Sequence, residues 1–500
     1  MRRFFIGTTL SLILAGGLLV RAQDAGLALR TSVGYNTQKA SLPLSDDQRR
    51  EADRLGQEAQ RAAQAGKYGD AMKDYQQGLA VMHKVAWTPA YELASSLQER
   101  LDHGLAEPGK VVSVTLAPLY SDERTQAIKL LASIRLVAAK AGSAEEKELA
   151  SGLKLDPAAL PFTTRVSLPA AATGDFNLEV RLAADGDAPA EAARPAFVKS
   201  SPIHIEALAS EAQRLKERLA RAKIKDASAL TTAEYALALY ERADKGEVNP
   251  ARYNFHAEFS NATAIVDVVD QGRDPFAGKR GDFRKAYRSA VDNTLQPYRM
   301  FIPASYSGAK PAPLLVALHG MGGDENSMFD GYGGTLEREA ERLGFIVACP
   351  KGRDTASMYR GSAEQDVLDV MADVERDYKI DAKRVYLMGH SMGGYGTWSV
   401  AIDHPDLFAA LGPISGGGDV NGMLKIRNIP EYVVHGDNDK TVNVSQSRRM
   451  VEAGRKAGAN IVYVEVPGGS HVSVAEPNFA PMLDFFAKQE RRAGSEITTQ

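Results

Sequence analysis

The segment Gly389-His390-Ser391-Met392-Gly393, followed by Gly394, constrains this chain more than any other. The preceding run Arg384-Val385-Tyr386-Leu387-Met388 reads as a buried strand, and Tyr395-Gly396-Thr397-Trp398-Ser399-Val400 opens a helix. A strand that turns at once into a helix leaves no space for side chains two residues from its apex, so glycine stands at 389 and 393. Such a turn lifts the Ser391 hydroxyl to the carboxyl edge of a sheet, at the amino terminus of a helix.

The surrounding pattern supplies that sheet. From about Asp282 to residue 490, short apolar runs at 313–319, 345–349, 384–388, 408–414, 432–434 and 461–466 alternate with helical segments at 335–343, 364–377 and 395–404. Continuous apolar runs mark strands buried on both faces, which predicts an α/β fold with a doubly wound, mostly parallel sheet. The single cysteine, Cys349, falls in one of these runs and reads as a small buried hydrophobe. Trp398 reads as core.

A serine hydroxyl is a poor nucleophile until a base takes its proton, and the base needs an acid to fix its tautomer. With a strand–serine–helix turn, the chain order is serine, acid, histidine. The last strand runs into Pro467-Gly468-Gly469-Ser470-His471, which makes His471 the candidate base. The acid belongs to the loop after Tyr432-Val433-Val434-His435-Gly436, where Asp437 and Asp439 compete; Asp419 is a more distant third choice. Two main-chain amides should receive the oxyanion: Met392, next to the serine, and Met321, in His319-Gly320-Met321-Gly322-Gly323 after an earlier strand. His319, His390 and His435 read as hydrogen-bonded partners of these segments, and His404 as a helix terminus. No histidine pair has metal-ligand spacing and no glycine-rich nucleotide loop follows a strand, so no metal and no cofactor are expected.

Together these motifs resemble those of the α/β-hydrolase superfamily over residues 298–486. The likeness is strongest to bacterial polyhydroxybutyrate-depolymerase-like, feruloyl-esterase-like and prolyl-oligopeptidase-like esterases. It rests on Tyr298-Arg299-Met300-Phe301-Ile302-Pro303, Leu318-His319-Gly320-Met321-Gly322-Gly323, the serine turn and His435-Gly436-Asp437-Asn438-Asp439. The resemblance implies a Ser391–His471–Asp439 triad, Asp437 being a turn-former, and an acyl-enzyme route. Prolyl oligopeptidases carry Gly-Gly-Ser and a large propeller, whereas Gly-His-Ser stands here, so the resemblance favours ester over peptide hydrolysis.

At 500 residues several domains are expected. Met1-Arg2-Arg3, an apolar run at 4–20 and Val20-Arg21-Ala22 have the form of an export signal over 1–22, with an uncleaved anchor as the alternative. This predicts a periplasmic or secreted protein without stable membrane insertion. A polar stretch to about Pro43 shows no periodicity and reads as little ordered. A helical hairpin is expected over 45–105, a small β-sandwich-like domain over 109–206 with a helical insertion near 141–157, and a helical linker over 207–281. Thr231-x-x-Glu234 there has capping-box form. The net charge of −3 and the lack of a basic run argue against nucleic acid as a partner. Three functions compete: a carboxylic ester hydrolase on small or polymeric, possibly polysaccharide-linked esters; a peptidase with the same machinery; and a polymer- or partner-binding protein with a secondary hydrolase domain. Loops 352–361 and 415–419 are placed at the pocket, with Tyr359 and Arg360 read either as substrate contacts or, equally, as exposed loop residues with no role.

Overall fold

The computed structural model describes residues 11–120, 123–139, 146–185, 197–224, 228–354 and 356–491, and side chains from Gly26 onward. The first ten residues of the expected export signal lie outside these. The chain divides into two compact units: residues up to Gln213 with Leu239–Glu258, and Arg214–Ala238 with the residues from Phe259 onward.

The first unit opens with helices Ser11–Ser41, Asp46–Gln64, Tyr68–Met82 and Pro89–Ser96. The segment expected to be poorly ordered is therefore helical. It is anchored by Tyr35, which is buried against Tyr75 and donates to the Ala52 carbonyl (2.6 Å). With so few buried residues on its inner face, no periodicity shows in the sequence. Ser45 and Gln48 form a capping box that starts the second helix. The hairpin ends earlier than expected, because Leu97–Leu101 is a strand.

Two sheets follow. Leu97–Leu101, Val111–Pro118 and Phe162–Ser167 form a three-stranded antiparallel sheet. Leu105–Ala106, Phe197–Ile205, Gly174–Ala184, Leu130–Ala138 and Glu146–Leu155 form a five-stranded one, in that order. Alternate residues of both, among them Val112, Val114, Leu116, Ile134, Leu136, Leu178 and Val180, enter one apolar cluster, as the period-two pattern requires. Glu146–Leu155 corrects the helical insertion: it is an outer strand, mostly exposed, with register shifts against its partner that disrupt alternation. Of the remaining expected span, residues 141–145 lie outside the described residues.

In chain order three helices follow the sheets, Ala209–Ala220, Leu230–Asp244 and Phe255–Val269, where two were expected. Thr231 does not form a capping box; it stands inside the helix and donates to the Ala286 carbonyl (2.6 Å).

The second unit carries an eight-stranded sheet of β1 Gly281–Arg288, β2 Leu295–Ile302, β3 Ala312–Leu318, β4 Ile346–Pro350, β5 Ile380–His390, β6 Ala410–Ile414, β7 Glu431–Gly436 and β8 Ile461–Val466. Its order is β1-β2-β4-β3-β5-β6-β7-β8. β2 runs antiparallel to both its neighbours, β1 and β4, and the strands from β3 to β8 pair in parallel. The sequence reading missed β1 and β2. Every residue of β3, β4 and β6 is buried, which is why those strands read as unbroken apolar runs. Helices α1 Ser327–Asp330, α2 Thr335–Leu343, α3 Ser362–Asp377, α4 Met392–Asp403, α5 Ser445–Lys456 and α6 Phe479–Phe486 connect and cover them. Tyr386 of β5 stacks between Phe345 and Phe486 (5.3 and 5.2 Å between centroids), tying the sheet's centre to α6. Cys349 is buried on β4.

Candidate active site

β5 ends at His390 and α4 begins at Met392, so Ser391 alone makes the turn. Its backbone lies at φ 59°, ψ −116°, a conformation costing a non-glycine residue on the order of 1–3 kcal/mol. Close neighbours hold it there. Its N–H donates to the Ile414 carbonyl at the end of β6 (2.8 Å), and its carbonyl accepts from Tyr395 (3.1 Å). A Cβ on Gly393 would lie 2.1 Å from the Leu318 carbonyl oxygen, so α4 reaches the end of β3 only with glycine at that position.

From this turn the Ser391 hydroxyl donates to His471 Nε2 (2.8 Å), and His471 Nδ1–H donates to Asp439 Oδ2 (2.6 Å). His471 comes from the loop after β8 and Asp439 from the loop after β7. The second Asp439 oxygen accepts the amides of Thr441 (2.8 Å) and Val442 (2.9 Å), and His435 Nε2 stands 3.3 Å from Oδ2. Burial works to raise the Asp439 carboxyl, but the bonds from His435 and His471 and the Val442 amide outweigh it and hold it well below the usual carboxylate range. It is an anion aimed at the imidazole.

The other two aspartates serve their loops. Asp437 Oδ1 accepts from Gly468 N–H (2.7 Å), linking the loops after β7 and β8, and Asp419 accepts from Asn421 N–H (2.9 Å) in a short helical turn. The structure thus brings Ser391, His471 and Asp439 into one hydrogen-bonded chain and leaves Asp437 and Asp419 outside it.

Met392 is the first residue of α4, so its amide has no carbonyl one turn back to bond. Met321 lies in the loop after β3, which runs beside the serine: a Cβ on Gly320 would stand 3.4 Å from that of Ser391. That loop is braced by His319, which is buried and reaches the Gly320 and Lys351 carbonyls (2.8 Å each). Burial holds the His319 imidazole below its ordinary value, against the pull of those two carbonyls.

Tyr359 is a correction. Read as a substrate contact or an exposed loop residue, it is neither: it is fully buried, and its hydroxyl accepts from His319 N–H (3.0 Å) beneath the loop. Arg360 is exposed. The other histidines also have partners. His435 contacts Ser447 Oγ (2.7 Å) and the Val442 carbonyl (2.9 Å), and His404 caps α4 and contacts Glu364 (2.8 Å). Trp398 is buried and donates to Glu431 (2.7 Å); burial, opposed by that bond, pushes the Glu431 carboxyl up to about 7. Among the described residues no group of three His, Cys, Asp or Glu is arranged to hold a metal ion.

Residues 354–432 match the model of the prolyl oligopeptidase family. The chain is 34% identical over 141 residues to the bifunctional acetylxylan esterase/xylanase XynS20E of Neocallimastix patriciarum, covering 28% of this chain and 21% of that one. It is 29% identical over 187 residues to the probable feruloyl esterase C of Aspergillus flavus, covering 35% of this chain and 68% of the relative. Among solved structures, a thermostable esterase aligns at 18% identity with a TM-score of 0.40, over 78% of this chain and all of that one. The carboxyl-terminal part of the chain has the α/β-hydrolase fold, and its sequence relatives include ester hydrolases.

Proposed function

We propose that the chain is a carboxylic ester hydrolase working through an acyl-enzyme, with Ser391 as nucleophile, His471 as general base and acid, and Asp439 as the group that orients His471. The observation that carries the reading is the hydrogen-bonded line from Ser391 Oγ through His471 to Asp439. Ser391 Oγ attacks the acyl carbon as its proton passes to His471 Nε2, and the oxyanion meets the Met321 and Met392 amides. Collapse expels the alcohol, which takes that proton. Water, deprotonated by the same nitrogen, then releases the acid and regenerates the hydroxyl. In a hydrolysis screen over acetyl, feruloyl, glucuronoyl and short hydroxyalkanoate esters, Ser391→Ala should lower kcat by at least about 10^4-fold; retained turnover overturns the mechanism.

The names of the relatives direct the substrate reading to acetyl or feruloyl esters, the former on a polysaccharide such as xylan. The family model also covers peptidases in its name, which keeps amide cleavage as the second reading. Amide turnover equal to ester turnover in the same screen would favour it. We further propose that 1–22 is an export signal placing the chain in the periplasm or outside the cell. Its charged start and apolar run support this. The same reading takes the helices ending at Ser96 as a helical segment, 109–206 as a β-sandwich-like domain and 282–490 as the part of the second unit that bears the catalytic residues.

A further inference from the structure

His390 immediately precedes the proposed nucleophile, and its side chain is almost wholly buried. Its Nε2 lies 2.8 Å from the main-chain carbonyl of His471, and its Nδ1 lies 2.8 Å from the Tyr332 hydroxyl. A carbonyl only accepts, so Nε2 carries the hydrogen. In a neutral ring Nδ1 is then the acceptor, and the Tyr332 hydroxyl donates to it. Tyr332 belongs to the loop between α1 and α2, and its ring packs edge-on against Phe479 of α6 (4.9 Å). The imidazoles of His390 and His471 lie 4.9 Å apart. Ser415 Oγ approaches the same His471 carbonyl from the end of β6 (3.4 Å).

We infer that His390 is a positioning residue for His471, its Nε2–H gripping the base's main-chain carbonyl while the Tyr332 hydroxyl fixes the ring's tautomer. The inference rests on the triad reading above. Its consequence is geometric. The rigid end of β5 carries both the nucleophile and the clamp on the base, so the Ser391–His471 distance is set through two adjacent residues rather than by the glycine-rich loop that bears His471. Neutrality also matters, because His471 becomes positive as it takes the serine proton. The groups facing His390 are the His471, His435 and Asp439 side chains and the Tyr332 hydroxyl. Burial, with His471 second, pushes the His390 imidazole down to about 4, so it stays uncharged at neutral pH.

A satisfied core histidine would share the burial and both hydrogen bonds, so the test separates positioning from packing. Turnover of p-nitrophenyl acetate, the rate of Ser391 labelling by diisopropyl fluorophosphate, and the thermal midpoint are measured for the full chain and for His390→Leu, His390→Gln and Tyr332→Phe. His390→Leu should lose on the order of 10- to 100-fold in kcat with KM little changed, as for a sub-ångström to ångström displacement of a reacting group, and its midpoint should fall because the His471 carbonyl and the Tyr332 hydroxyl each lose a partner. His390→Gln, which still offers an N–H to the carbonyl, should recover most of that loss. Tyr332→Phe should lower kcat less and leave KM alone. A folded His390→Leu with wild-type kcat, or equal losses in the Leu and Gln variants, overturns the inference. Should His390→Leu fail to fold, Tyr332→Phe decides: unchanged kcat and labelling overturn it. Wild-type protein that shows no Ser391-dependent labelling instead overturns the hydrolase reading, and is recognised without any His390 variant.

Discussion

Asp437 and Asp439 stand two positions apart on one loop, and only the backbone path separates their roles. The chain turns after Gly436 so that Asp439 faces inward to His471 while Asp437 bonds Gly468 across the neighbouring loop. Asp439→Asn should therefore cut kcat by about 10^4-fold, as when the orienting acid of a triad is neutralised, whereas Asp437→Asn should leave kcat unchanged; steady-state kinetics of the two variants checks this. His390 gives a pH signature. Its folded value of about 4 lies below an ordinary 6.5, so the unfolded chain binds more protons between the two. Stability from this group is fully present above pH 6.5 and is lost as pH falls towards 4, on the order of 3 kcal/mol in all. Thermal unfolding from pH 7 to 4 should show that slope in wild type and a shallower one in His390→Gln. At this scale Ser391 and His471 were legible because the motif and chain order name them. Tyr332, flanked by Gly331 and Gly333-Gly334, was not, since its role depends on a contact with β5 that no spacing reveals. Tyr359 was misread because a loop tyrosine gives no sign that its hydroxyl points under the loop.

At the level of elements, legibility followed burial. β3, β4 and β6 are buried throughout, and the sequence reading places them to within a few residues. β1 escaped because it sits at the sheet edge with Arg284, Lys285 and Arg288 among its residues. At Ala286 its free edge is nevertheless satisfied: the N–H donates to Thr232 Oγ (3.0 Å) and the carbonyl accepts from Thr231 Oγ (2.6 Å), both from the helix Leu230–Asp244. On β2, Ala286 faces Pro297, where a residue lacking an N–H leaves the β1 pairing intact. Hydroxyls here cap an edge strand, a role that a local pattern such as Thr231-x-x-Glu234 misattributes to the helix itself. Thr232→Val strands the Ala286 N–H and should lower stability by about 1–2 kcal/mol, read as the shift in urea midpoint for loss of activity.

For the whole molecule, the position of the cut between parts matters more than the number of parts. The expected boundary at 282 follows the start of strand–helix alternation, yet Arg214–Ala238 packs with the residues from Phe259 onward as one compact unit. The bonds of Thr231 and Thr232 to Ala286, and of Glu234 to Arg288 (2.5 Å), lie inside that unit. A fragment beginning at Arg214 should consequently show a higher thermal midpoint than one beginning at Asp282; equal midpoints would show that the helices add nothing to the sheet. Alternation in the sequence could not reveal this, because it marks where strands begin and not what covers the first of them. The strained turn at Ser391 has a last consequence. Its φ of 59° persists only while the ends of β3 and β6 are in place around it. A copy still threading out of its ribosome therefore holds an ordinary alcohol at position 391. The reactivity proposed here is latent until the sheet closes.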